Sequence, residues 1–152
     1  MNKGFTLIEV LIYLAVVAAT VPLLLNLFQV VVDSGALNKK VRETQVEAAR
    51  ALQIITQAAR NGSVITKPEL GASGGELQVD NKRFFAESGQ LKIQEDGGAA
   101  QLLIAPGFTI ANLQFTNSSK FGTPGFIKIS FKIKKGDYEK IYYGAAGVRV
   151  AP

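Results

Sequence analysis

Cysteine, histidine and tryptophan are all missing from this chain, and its one methionine is the first residue. Without cysteine no disulfide can hold the fold, so stability has to come from a packed core. With histidine gone as well, the usual zinc clusters and the Ser/His/Asp and Cys/His arrangements are unavailable. An enzyme built on this chain would have to work with carboxylates, lysine, tyrosine or serine. Acids are the minority charge, 12 against 17 basic residues, for a formal charge of +5 and a pI near 9.5. That balance permits an anionic partner, and it is equally that of an ordinary solvated surface. The length of 152 residues leaves room for one domain beside an apolar N-terminal run.

Charge is scarcest in that run. From Phe5 to Val32 the only charged side chain is Glu9, among residues that are mostly Leu, Val, Ile, Ala and Phe. These 28 residues make about 42 Å of helix, more than the roughly 30 Å of a bilayer core requires. A secretory signal peptide would end its short apolar stretch at a small-residue cleavage site, whereas here helix-forming sequence runs on past Val32. Only Lys3 precedes the run, and Lys39, Lys40 and Arg42 follow it. Counting flanking charge alone therefore favours an outside N-terminus and leaves the topology open. Pro22 removes one backbone hydrogen bond mid-run, as a packing kink or as a point of local loosening.

The residue order is more specific than the hydropathy. Lys3-Gly4-Phe5-Thr6-Leu7-Ile8-Glu9, running into Val10-Leu11-Ile12, closely resembles the processing signature of type IV prepilins and type II secretion pseudopilins. The resemblance implies that a membrane prepilin peptidase cuts between Gly4 and Phe5 on the cytoplasmic side and that the new Phe5 amine is N-methylated. Residues 1–4 are then a leader, and residues 5–32 a transmembrane and assembly helix, in single-pass topology with the C-terminal domain outside the cytoplasm. In this family the acid matching Glu9 pairs with the terminal amine, here that of Phe5, on its own or a neighbouring subunit. A lone intramembrane carboxylate costs about 2.5–3.5 kcal/mol even on lenient insertion scales, so such a partner gives Glu9 its reason to be there. The other reading is an acid snorkelling to the interface near the helix start. Implied partners are the peptidase, other pilin or pseudopilin subunits, an inner-membrane assembly platform and the lipid bilayer. No cofactor is implied.

Beyond Val32 the chain turns polar and keeps a helical period. Leu37, Val41, Thr44, Ala48, Leu52, Ile55 and Ala59 form one stripe opposite Lys39, Arg42, Glu43, Glu47 and Arg50. Asn61-Gly62 supplies a stop, with Arg60 suited to the C-terminal dipole. Asp33-Ser34-Gly35 either interrupts the helix or lies within it, and continuity is the preferred reading. A continuous helix over 5–60 would be about 84 Å long. Residues 33–61 are expected to be an amphipathic segment laid against a sheet, since an Ala- and Thr-rich stripe of about three heptads suits a coiled coil poorly.

From residue 62 to 152 Gly, Pro, Ser and Asn recur between short β-prone runs, which predicts an antiparallel domain and an α+β fold class. Residues 62–75 read as an irregular connection. Glu76 to Asp80 and Lys82 to Ala86 pair through Asp80-Asn81, followed by strands over 90–94, 101–104 and 108–116. The clearest strand is 126–134, where Ile127, Ile129, Phe131 and Ile133 alternate with Lys128, Ser130, Lys132 and Lys134. Lys135-Gly136-Asp137 turns it into a terminal hairpin. The phrases LLIAPGFTIANLQFT and FIKISFKI, with a late Arg149, are similar to minor pilins and to J- or H-type minor pseudopilins. Glu9 and the short length depart from K-type tip subunits. The acid-free tail 144–152 departs from the calcium loop of G-type subunits, and the lack of cysteine from the disulfide loop of many major pilins.

Other chemistry has weaker support. Gly71-Ala72-Ser73-Gly74-Gly75 lacks the GK[ST] of a phosphate loop and reads as a flexible loop. Glu95-Asp96 before Gly97-Gly98 reads as a hairpin turn, with too few oxygen ligands for calcium. Lys128, Lys132 and Lys134 share one strand face near Tyr138, Tyr142 and Tyr143, a combination able to track nucleic acid. A lysine-rich face also guards a sheet against edge pairing. The sequence therefore reads as a structural subunit without catalytic residues, the alternative being a DNA-binding receptor of a competence pilus. A membrane-anchored hydrolase would need a convergent polar pocket that these residues do not supply.

Overall fold

The computed structural model describes residues 6–119 and 125–148. The Gly4-Phe5 cleavage pair, the rest of the expected leader and Arg149 lie outside the described residues. The chain divides into two compact units, Met1–Lys39 and Lys40–Pro152.

One helix, α1, covers Leu7–Asn61. Residues 33–35 are helical within it, so the capping potential of Asp33 and Ser34 goes unused, and Pro22 is also carried without a break. Tertiary packing explains the second half, since an isolated helix this polar gains little from propensity alone.

In the second unit the buried positions of α1 are Thr44, Ala48, Ala51, Ile55 and Ala59. The expected stripe is shifted slightly from this. Ala51 is fully buried where Leu52 was expected, and Leu52 is half-buried against the core. Small side chains on the buried line let the backbone of α1 approach the sheets closely. Gly144 marks one such approach, since a Cβ there would lie 2.6 Å from Leu52 Cδ2.

Among the described residues nine strands follow α1, all paired antiparallel: β1 (Ile65–Lys67), β2 (Ser73–Gly74), β3 (Glu76–Val79), β4 (Lys82–Glu87), β5 (Gln90–Glu95), β6 (Gln101–Leu102), β7 (Thr109–Asn117), β8 (Gly125–Lys135) and β9 (Tyr138–Val148). They form two sheets, in the orders β1-β3-β4-β5-β6 and β2-β7-β8-β9. Both sheets and α1 share one core, in which Ile55 joins Leu77, Phe84, Leu91, Phe115 and Phe131.

The segment 62–75, expected to be irregular, carries β1 and β2, and the expected flexible loop 71–75 contains β2 itself. Neither strand has enough periodicity to be read, because each is two or three residues long and fixed from outside. Gly71 and Ala72 bond through their backbones to Asn117, whose buried Nδ2 also donates to the Pro68 carbonyl at 2.9 Å. Ser73 and Thr116 share a hydroxyl hydrogen bond of 2.8 Å. The expected strands 76–80 and 82–86 appear as β3 and β4, and the hairpin at 135–138 appears as β8 and β9.

Where α1 ends, Gly62 N–H donates to the Ala58 carbonyl at 2.9 Å, and the Asp80 carboxylate accepts from the next two backbone N–H groups, Ser63 and Val64. Gly62 is buried there, and a Cβ on it would lie 2.0 Å from Val79 Cγ1. On the same sheet Arg83 makes a forked contact with Glu76, Nε at 2.7 Å and Nη2 at 3.0 Å, and its guanidinium sits 4.6 Å from the Phe85 ring centre. The hydrogen bond from Arg83 holds the Glu76 carboxyl below its ordinary value, against a smaller opposing effect of burial and with further help from Lys67.

Two outcomes are expected. Gly62→Ala should lower stability by about 1–3 kcal/mol in urea unfolding followed by tyrosine fluorescence, as overpacking does. Gly35→Ala, where a Cβ meets nothing within 4 Å, should show no such loss. Because the folded-state value of Glu76 is depressed, its contribution is present above the unfolded value of about 4.3 and is lost as pH falls through the folded value. Glu76→Gln should therefore cost up to about 1 kcal/mol at neutral pH, the scale of a partly exposed ion pair, and the gap to the parent should close at strongly acid pH.

Candidate functional site

In the first unit the described residues of α1 are exposed throughout. Leu7 is 81% accessible and Phe28 66%. The most apolar 18-residue window of the helix has a mean hydropathy of 2.4 and nothing in the structure buries it. By length and composition α1 can cross a membrane. The Thr20 hydroxyl is satisfied within the helix, as a hydrocarbon surrounding demands, donating to the Val16 carbonyl at 3.0 Å.

Glu9 lies in the first turn. The Thr6 carbonyl accepts from Glu9 N–H at 3.0 Å and from Val10 N–H at 3.3 Å, which makes Thr6 the capping residue and Glu9 the third helical position. Thr6 and Glu9 thus have the spacing of a capping box. A carboxylate here also sits at the positive end of the helix dipole. The expected partner, the Phe5 amine, lies outside the described residues, so the structure supplies the position of Glu9 and not the pairing.

The second unit places the three lysines as the alternation predicts. Lys128, Lys132 and Lys134 lie on the outer face of β8, with Ile127, Ile129, Phe131 and Ile133 buried on the other. The tyrosines divide: register puts Tyr143 beside Ser130 on the lysine face, and Tyr138 and Tyr142 on the inner side. Tyr142 packs near Phe131, and burial pushes its hydroxyl above the ordinary phenol value. Lys132 is held by Glu139 at 3.0 Å. Among the described residues of β8 and β9 the basic face therefore carries two aromatic side chains, Tyr143 and Phe126, and one of its three lysines is paired.

Two clefts of this unit are lined by groups already bonded to one another. One of about 420 Å³ lies between α1 and the Ala105–Phe108 loop. There Glu43 pairs with Lys135, Lys135 sits 4.4 Å from the Phe108 ring centre, and Glu47 accepts from the Ala105 N–H at 3.1 Å. The other, of about 320 Å³, lies at the end of α1, where Asp80 is committed to Ser63 and Val64, and Lys82 to Glu95 at 2.9 Å. Asp96 accepts from Asn81, so the Glu95-Asp96 pair is spent on the hairpin. The Glu43–Lys135 clasp and the Glu47 bond span 58 or more positions and left no signal in the sequence.

Residues 1–21 match the prokaryotic N-terminal methylation motif. That motif is of prepilin type and is shared with type IV pilins and pseudopilins, which are structural proteins and not enzymes. Comparison with curated proteins and with solved structures gives no match.

Proposed function

We propose that the chain is a minor pilin or pseudopilin, a structural subunit cut by prepilin peptidase between Gly4 and Phe5, N-methylated at Phe5 and built into a type IV pilus or type II secretion pseudopilus. One observation carries the reading: the methylation motif over residues 1–21 covers the start of α1, whose described apolar side chains are uncovered as far as Leu37. Such a surface is stable only in lipid or among other apolar helices, and a filament subunit meets both in turn. The subunit enters the cytoplasmic membrane once, N-terminus in the cytoplasm, and leaves it as neighbouring helices take the place of lipid. Residues 1–4 are the leader, 5–32 the membrane and assembly segment, 33–61 the segment leading into the soluble domain, and 62–152 that domain.

Glu9 supplies the register. Among the described residues its charge is favoured by the helix dipole. Cleavage creates a cationic amine at Phe5, and a subunit seated so that Glu9 meets this amine removes two lone charges from an apolar surrounding at once. A DNA-receptor role gains no support from the second unit, because the tyrosines face opposite sides and Lys132 is already paired.

The intact mass and N-terminal residue of the protein from its native membrane test the processing step. The expected chain starts at Phe5 and is heavier by one methyl group. A chain that keeps Met1 in cells with active peptidase overturns the reading. Glu9→Ala should leave membrane insertion unchanged and lower filament incorporation by roughly tenfold or more, since an unpaired amine is left in an apolar site. Fractionation and immunoblotting of sheared filaments measure both, and unchanged incorporation would remove the pairing from the account.

A further inference from the structure

β9 is the last strand of its sheet, and the hydrogen-bond parity of its ladder fixes which residues face outward. The two-residue turn Gly136-Asp137 makes Lys135 and Tyr138 a bonded pair, and Gly136, at φ +59°, has the conformation this turn requires at its first central position. Bonded and non-bonded pairs then alternate along the ladder. Glu139, Ile141, Tyr143, Ala145 and Gly147 fall in the non-bonded set, so their N–H and C=O groups point away from β8. An independent bond agrees: Phe126, opposite Gly147, spends its carbonyl on Ser118 N–H and its N–H on Ser119 Oγ, on the β7 side. Among the described residues nothing bonds the outer side of β9.

Edges are normally short or guarded by proline and charge. β1, β2 and β6 are short, at three, two and two residues, whereas β9 has eleven. It contains no proline and no charge from Ile141 to Val148, and Ile141 and Tyr143 are 45% and 73% exposed on its lysine face. Next to them, Ala145 and Gly147 leave the ground between β8 and the open edge low. Lys128 lies across from Ala145 and has no acidic partner among the described residues. Its four-carbon stem outreaches the ~4.8 Å strand spacing, so its ammonium can cross the Ala145 methyl to a strand added beyond β9.

We propose that the β9 edge takes up an extended segment of another protein subunit as an added strand, with alternating apolar and acidic side chains, one acid lying opposite Ala145 to meet Lys128. Main-chain bonds to Ile141, Tyr143, Ala145 and Gly147 supply the adhesion, and Lys128 supplies the charge preference. A second copy of β9 fits less well, because its one acid, Glu139, is already held by Lys132. The inference goes beyond the proposed function and stands apart from the membrane helix.

The test uses the full chain in detergent micelles and two synthetic decapeptides, one alternating valine and glutamate, the other valine and lysine. The glutamate peptide should slow amide hydrogen exchange at Ile141, Tyr143, Ala145 and Gly147, and the lysine peptide should not. Lys128→Glu, on the exposed face, should weaken the glutamate peptide roughly two- to fivefold or more, the scale of an exposed ion pair, and favour the lysine peptide. Tyr143→Pro, which removes an outward N–H and no ladder bond, should abolish the protection. Equal protection by both peptides, or binding without protection of those amides, overturns the proposal. Slowed exchange at the same amides in peptide-free protein, together with a dimer mass, overturns it in favour of a second copy.

Discussion

The second unit depends on how closely a helix can lie against two sheets at once. Thr44, Ala48, Ala51, Ile55 and Ala59 are buried to the last, and all but Ile55 have short side chains. Short side chains bring the axis near the strands, and glycines make room on both sides: Gly62, just past the end of α1, lies against Val79 of β3, and Gly144 of β9 lies against Leu52 of α1. The bulky residues of the core, Phe84, Phe115 and Phe131, come from the sheets. The helix thus acts as a narrow spine, and volume is supplied by what closes around it.

Polar groups near this spine are arranged to hold it in place. Glu43 and Glu47, one turn apart on the edge of the buried stripe, reach Lys135 and the backbone of Ala105, so one face of one helix fastens to both the β8 turn and the 105–108 loop. Asp80 does the same at the helix end through Ser63 and Val64. These contacts commit Glu43, Glu47 and Asp80 to holding the helix against the sheets.

Much of this was legible in the residue order. The long helix, its apolar and amphipathic halves, the β3-β4 hairpin and the alternation of β8 all follow from periodicity, because in each a single solvent boundary repeats over many residues. Glu9 stood out for the same reason, as the one charge in a long apolar run. The sequence was silent on β1, β2 and the split into two sheets, since these rest on pairings such as Ser73 with Thr116, far apart in the chain. It left open which of Tyr138, Tyr142 and Tyr143 share the lysine face, because closeness in sequence says nothing of strand parity until the hairpin register is known. The burial of Ala51 in place of Leu52 is a shift of one position, which a 3.6-residue period tolerates without losing its pattern.

The path of the chain through β1, β2 and β3 gives the domain a mechanical character. β1 joins one sheet, β2 the other and β3 returns to the first, so the two sheets are laced together by a stretch that Asn117 ties down at Pro68, Gly71 and Ala72. Tension applied along α1 reaches this lacing directly through Gly62, Ser63 and Val64. It meets the β1-β3 pairing first and reaches the β2-β7 pairing only through the stretch that Asn117 ties down, so the two sheets are loaded in chain order.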